Sequence, residues 1–443
     1  MELHNIRLNH VIQCGARRKY VTVTVSWATR FLTLVVQMLL MPVLLHLLGD
    51  QKFSVYQVII SLQGWLVLCT FGVGPALKNM ISEVWVKGES DRNARYAVAF
   101  FLWIVSLGFT ALFFALAPFL SSLILGKLTQ GEHWADFPFV LGGLLMLVIG
   151  IGQVGAEVLY AEMRAHWVYL LPAAGQTLGL GFIYCLSRAG VKGEAGLLWV
   201  IVFWLCPQAI GASVILWMAG LIKVPRLWPE STVVRRLARP ALRFFVFALL
   251  SNAVLLVDYL VMSQILQPSE IVVYSAMMRA VSLFLVFYMA LLLIIWPEWS
   301  VQMQKGLWAQ TSRRVLRLAG GGILVCMLTN GLMLWAAPPL LRFWLRRPDL
   351  VFSPVTILLF FGYMGIRVWT DTHAVALQSA NRMRTLIITV IVQALITMPA
   401  EVFLGSRWGA NGIVLGLIVG FLLTAAWSLP YKFHAFARQM ASP

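Results

Sequence analysis

The run "FVFALLSNAVLLVDYLVMSQILQPSEIVVYSAMMRAVSLF", residues 245–284, decides the fold. It reads as two long apolar helices joined by the short turn "QPSE", with Asp258 inside the first and Arg279 inside the second. Apolar runs of about 18 residues or more, repeated along a chain, mark membrane-spanning helices. A charge near the bilayer centre costs at least about 2.5–3.5 kcal/mol, so each such residue needs a partner, a wet cavity or a function.

The rest of the chain agrees with that stretch. Of 443 residues, 60% are hydrophobic and only 12% charged, and mean hydropathy is +0.84, which identifies an all-α polytopic membrane protein. Short alternating strands of a membrane barrel would not give such uniform runs. Twelve spans are expected at 20–47, 53–78, 95–120, 137–158, 167–186, 196–222, 241–265, 271–296, 316–341, 350–376, 384–405 and 409–430. Most Lys and Arg fall on one side when the N-terminus is cytoplasmic, so the positive-inside rule favours both termini inside. The basic segment "KVPRLWPESTVVRRLARPALR" between spans six and seven predicts a cytoplasmic linker, 223–240, joining an N-terminal lobe, 1–222, to a C-terminal lobe, 241–443.

The net charge of +17 sits in short juxtamembrane loops, which points to lipid headgroups and orientation rather than nucleic acid. The five cysteines lack CxxC spacing, and the histidines show no ligand pattern, so no metal site is expected. No P-loop is present, and the glycines of "LGGLLMLVIGIGQVGAE" are packing positions inside a span. No large external loop could house a glycan polymerase, so the chain is not read as an enzyme. Trp134, Trp167, Trp228, Trp296, Trp299 and Trp344 fall near expected interfaces as belt residues.

The halves repeat. "LLGDQKFSVY" (47–56) aligns with "ILQPSEIVVY" (265–274), "LYAEMR" (159–164) with "LQSANR" (377–382), and "GEAGL" (193–197) with "GANGI" (409–413), in order and at nearly one offset. An even number of spans separates the copies, so both run in the same direction, as in transporters built from parallel repeats.

The intramembrane charges are the candidate site. Asp258 lies about 10 Å and Arg279 about 12 Å from the outer ends of adjacent spans, depths that suit an ion pair. That pair is either a static tie or a switch in which Arg279 meets an anionic substrate and Asp258 takes a proton or cation. Arg30 in "SWATRFLTL" has no acid in helical reach on its own span, so it either pairs with an acid on another helix or meets an anion, which guanidinium suits because it stays charged and grips phosphate bidentately. Arg367 and Asp371 are four apart on one helical face, a helix pair or part of the site. Glu401, beside Pro399, is either a coupling carboxylate or a solvated rim residue. Lys78 and Glu157, near inner span ends, rank lower because they can snorkel.

Spans one and two, "RFLTLVVQMLLMPVLLHLLGDQKFSVYQVIISLQGWLVLCTFGVGPALKNMISE", resemble the opening of Wzx-type O-antigen and polysaccharide flippases. The shared features are an arginine in the first helix, a Pro-x-Leu-Leu-x-x-Leu-Gly turn, an aromatic-x-x-Tyr and a Phe-Gly-hydrophobic-Gly end. "DYLVMSQILQPSEIVVYSAMMR" is similar to that family's Asp-bearing seventh helix and the Tyr-x-x-x-x-Arg of its eighth, although "QPSE" replaces the usual glycine-containing turn.

The resemblance implies the multidrug/oligosaccharidyl-lipid/polysaccharide (MOP) exporter fold, two six-helix lobes around a V-shaped cavity. It implies movement of undecaprenyl-pyrophosphate-linked oligosaccharide to the outer leaflet of a bacterial inner membrane, without an organic cofactor. Proton or sodium coupling and contact with polysaccharide polymerase machinery are expectations of the same kind. Carried over by position, Arg30 and Arg279 face pyrophosphate or acidic sugar, and Asp258 is the carboxylate of the seventh helix; from the residues alone, Arg367 is a further candidate cation for the substrate, and Asp371 and Glu401 are further candidate coupling or ion-pair carboxylates. The main alternative is a cation-coupled small-molecule or drug exporter of the same superfamily, for which acids rather than arginines should dominate.

Overall fold

The computed structural model describes residues 2–86, 91–162, 164–190, 194–222, 230–347, 350, 352–380 and 382–441. Side chains are described from residue 25 onward, apart from a few positions inside helices. Every regular element among these residues is helical: α1 Glu2–Leu66, α2 Val73–Val86, α3 Arg92–Leu125, α4 Asp136–Ala161, α5 Ala165–Arg188, α6 Glu194–Met218, α7 Ser231–Leu255, α8 Asp258–Ile265, α9 Pro268–Gln304, α10 Trp308–Leu345, α11 Pro354–Ser379, α12 Met383–Leu423 and α13 Ala425–Ala441. A short 3-10 turn, Val67–Thr70, precedes α2.

Nine helices among the described residues are long and apolar enough to cross a membrane. The count of twelve is recovered from their breaks. Helix α1 is interrupted at Gly49 (φ 67°), between the expected spans one and two, and α12 at Trp408–Gly409, between spans eleven and twelve. Helix α11 completes the set. Arg367, Asp371 and His373 interrupt its apolar run, which is why hydropathy alone passes over it.

The chain forms two compact units, residues 1–249 and 250–443. In the first, α4 packs against α1, α2, α3, α5 and α6; in the second, α11 packs against α9, α10, α12 and α13. These two central helices hold equivalent places in the sequence repeat. The match extends to single hydrogen bonds: Arg164 N donates to Leu159 O at 2.8 Å, and Arg382 N donates to Leu377 O at 2.9 Å. Both arginines stand at the position just before the next helix, and the aligned Tyr56 and Tyr274 are both buried. The repeat is therefore a repeat of turns, each closing one span against the next.

Most of α7, up to Leu249, belongs to the first unit. Gly72 adopts φ +70°, and a Cβ there would run into the Ala241 carbonyl and come within 2.7 Å of Phe245 N. A side chain at residue 72 would both strain the backbone and push α7 away. Of the expected linker, residues 223–229 lie outside the described residues, while Ser231 onward is already helix. Trp299, expected as a belt residue, is 2% exposed and fills the interior instead.

Span seven is not one helix. It stops at Leu255, bends at Leu256–Val257 and restarts at Asp258. Discontinuous helices leave backbone amides at a helix start free to meet acceptors. Asp258 occupies that start, in the first turn of α8.

Candidate functional site

In the C-terminal unit, Asp258 is 4% exposed. Its Oδ1 accepts from Tyr259 N at 2.9 Å, and its Oδ2 accepts a short hydrogen bond from the Tyr274 hydroxyl. The partner is thus a tyrosine, not the Arg279 guanidinium that depth matching suggested. The bend before Asp258 accounts for the difference, since it redirects the side chain from where a continuous helix would aim it. Arg279 lies within electrostatic range of Tyr259, whose hydroxyl is 3.1 Å from Ser275 Oγ.

Glu401 is wholly buried, and neither carboxylate oxygen has a hydrogen-bond partner among the described residues. It is therefore not a rim residue. It lies within electrostatic range of Asp258, so two carboxylates from α8 and α12 share one interior region. A like-charged buried pair is stable only if it holds a proton or cation between its members.

Arg367 and Asp371 do pair on α11, with Nη2 to Oδ2 at 3.0 Å and Nε to Oδ2 at 3.1 Å. Arg367 also donates to the Tyr363 hydroxyl at 3.1 Å and stacks near the Tyr363 and Phe421 rings at 5.9 and 5.7 Å. Tyr363 lies within electrostatic range of Asp258 as well, and so links the ion pair to the carboxylates. Tyr274 and Tyr363, which no charge-counting argument picks out, tie Asp258 to the Arg367–Asp371 pair, and Glu401 joins them only through its electrostatic interaction with Asp258.

The N-terminal unit holds a different cluster. Partly buried Arg30 stands over the Tyr169 ring at 5.9 Å; Tyr169 meets Tyr160 edge-on at 6.0 Å; Lys78 lies 5.3 Å from the Tyr160 ring and 3.0 Å from Glu157. Four helices, α1, α2, α4 and α5, supply these groups. Arg30 takes part in none of the ion pairs among the described residues. Arg95 shows the contrast: it binds Asp91 at 2.7 Å, Glu162 at 2.8 Å and the Ala219 carbonyl at 2.9 Å, as a structural arginine should. Lys78 and Glu157, ranked low from sequence, belong to the Arg30 cluster. Their signal was the i, i+3 spacing of Glu157 and Tyr160 on α4.

No family model matches the chain. Relatives do. The chain is 26% identical over 413 residues to a Yersinia pseudotuberculosis protein named for O-antigen export, covering 93% of this chain and 94% of that one. It is 29% identical to a Salmonella typhimurium protein named as an O-antigen transporter, over 92% and 94% of the two chains. The structure superposes on an inward-facing multidrug resistance MATE transporter of the MOP superfamily with a TM-score of 0.73 at 12% identity, over 92% and 95%. On the lipid II flippase MurJ the TM-score is 0.72 at 12% identity, over 95% and 90%.

The fold is that of the MOP superfamily, and the sequence relatives are named for O-antigen export or transport. The Wzx-type resemblance therefore holds over nearly the whole chain, not only over the quoted motifs. Within a MOP fold, the buried carboxylates of the second unit and the standing arginine of the first are separate chemistries. One is suited to a small cation, the other to an anion.

Proposed function

We propose that the protein is a flippase for undecaprenyl-pyrophosphate-linked oligosaccharide, an O-antigen or related surface polysaccharide unit. It moves this lipid from the cytoplasmic to the periplasmic leaflet of a bacterial inner membrane by alternating access, with both termini cytoplasmic. The observation that carries the reading is Arg30: a guanidinium inside a span, supported by an aromatic ring and with no carboxylate paired to it among the described residues. Such a charge is costly in hydrocarbon unless an anion visits it. Pyrophosphate is that anion, and guanidinium binds it bidentately. The names of the relatives support a polysaccharide cargo.

Coupling falls to the carboxylates. Asp258 and Glu401 take a proton, or a sodium ion, and release it as the cycle turns; Arg279 and Arg367 supply the cationic surroundings of the C-terminal unit. The second reading, a cation-coupled drug exporter, draws on the MATE likeness. It needs carboxylates that meet a bulky cation, whereas Asp258 and Glu401 are 4% and 0% exposed.

The test is lipid-linked oligosaccharide measured by leaflet in cells depleted of the protein. Cytoplasmic-leaflet accumulation rescued by wild type and not by Arg30→Ala supports the reading. Unchanged sidedness with altered sensitivity to cationic drugs favours the exporter.

A further inference from the structure

Helix α7 carries its charge in order. Within "STVVRRLARPALRFF", residues 231–245, Arg235, Arg239 and Arg243 recur at i, i+4 and i+8, and Arg236 flanks the first of them. Such spacing sets three guanidiniums along one side of the helix, over about 12 Å at about 1.5 Å per residue. Leu237 and Ala241, exposed by 6% and 4%, mark the other side. Each lies two residues from an arginine and so about 200° round the helix from it. That buried side is pressed on the first unit: Gly72 lies against Ala241 and Phe245, and the Phe71 and Phe245 rings stand 5.2 Å apart. Packing therefore fixes the rotation of α7 and turns the arginines away from the unit that holds it.

Arg235, Arg236, Arg239 and Arg243 are all exposed, and among the described residues none of them engages an acid, a carbonyl or an aromatic ring. Arginines with a structural task in this chain are held: Arg314 binds Glu298 at 2.7 Å, and Arg95 binds Asp91, Glu162 and the Ala219 carbonyl. Helix α7 contains no Asp or Glu, and Glu230, just before it, accepts from Asn93 Nδ2 at 3.1 Å. Charges that only orient a span need no common face. A row of unpaired guanidinium forks at a membrane surface is instead suited to taking phosphate oxygens two at a time. Arg243 falls within the expected span seven and Arg235 before it, so the row runs from the linker side into the start of the span.

We propose that Arg235, Arg239 and Arg243, with Arg236 beside them, form a loading site for the pyrophosphate of a polyprenyl-linked lipid in the cytoplasmic leaflet. The inference rests on the flippase reading above and adds a first binding step to it. Two linked phosphates carry more charge and more oxygens than the single phosphate of an ordinary phospholipid, and so engage two neighbouring rungs at once. Arg243 lies about 3 Å past the expected inner end of span seven, and Arg30 about 15 Å past that of span one. The diphosphate thus meets the α7 row at the leaflet surface before it meets Arg30.

Equilibrium binding to the full-length protein in phosphatidylcholine nanodiscs tests this. The probe is radiolabelled undecaprenyl pyrophosphate, and the competitors are phosphatidylglycerol and inorganic pyrophosphate. The variant combines Arg235→Lys, Arg239→Lys and Arg243→Lys, which keeps the positive charge that orients the span and removes the bidentate fork. The expected result is affinity for the probe weakened about three- to tenfold, with each competitor at least about tenfold less effective than unlabelled undecaprenyl pyrophosphate. Full affinity in the Lys variant overturns the proposal, because charge alone then suffices. Phosphatidylglycerol that competes as well as the probe lipid overturns it in favour of a general phospholipid contact, and inorganic pyrophosphate that does so overturns it in favour of a soluble anion. The leaflet measurement reads the flippase assignment separately: cytoplasmic accumulation relieved by wild type upholds that assignment even where the α7 row fails this test.

Discussion

The Arg30 guanidinium carbon stands 5.9 Å from the centre of the Tyr169 ring, and Tyr169 in turn meets Tyr160, the ring beside Lys78. Two cations on α1 and α2 are thereby joined through two rings on α4 and α5. The rings orient the cations without neutralising them, which keeps Arg30 available to an anion.

Replacing Arg30 separates its charge from its fit. Arg30→Ala should reduce translocation by about 10-fold to 100-fold, the loss of a charge-assisted contact of roughly 1.5–3 kcal/mol, and Arg30→Lys should recover part of it. Tyr169→Phe should retain activity, since the ring remains, while Tyr169→Leu should cost about two- to fivefold through the lost cation–π contact. The measurement is the initial rate of lipid translocation, with surface expression as control. Equal rates for Ala and wild type would remove Arg30 from the site.

The Tyr274 hydroxyl is the support of Asp258. Tyr274→Phe should lower stability by about 1–3 kcal/mol, because a buried carboxylate oxygen loses its hydrogen-bond donor. Thermal unfolding in detergent reads this. Asp258→Asn mimics the protonated state, and should leave the fold intact while making transport insensitive to the proton gradient; unchanged gradient dependence would take Asp258 out of coupling.

The Arg367–Asp371 pair predicts non-additivity. Asp371→Ala strips Arg367 of its acid but leaves Tyr363, and should cost roughly 1.5–3 kcal/mol. The double change Arg367→Ala with Asp371→Ala should be less damaging than the sum of the single changes, as a double-mutant cycle of unfolding temperatures will show. Strict additivity would mean the two side chains do not interact.

Gly72 offers a purely structural prediction. Gly72→Ala should destabilise the first unit by at least about 1 kcal/mol, from positive φ alone, and by more where the Cβ meets α7. Protease sensitivity of the α7 segment should rise in parallel. An Ala variant as stable as wild type would contradict the close approach of Ala241 and Phe245 to residue 72.

Much of the architecture was legible because membrane spans announce themselves by composition, and because the repeat is carried by turns. Leu159 and Arg164, with Leu377 and Arg382, recur at turns that close the same backbone hydrogen bond. The partner of Asp258 was not legible. Helix α7 ends at Leu255 with no Pro or Gly to mark the break, so a continuous helix aimed the carboxylate at Arg279 rather than Tyr274. Glu401 was noticed for its charge alone.

The most direct test of the central claim uses purified protein in liposomes carrying undecaprenyl-pyrophosphate oligosaccharide labelled on the sugar, with an impermeant quencher outside. The account predicts protein-dependent loss of the protected label in wild type, and retention of that label with Arg30→Ala. Label movement that is the same with wild type, with Arg30→Ala and with no protein would contradict it.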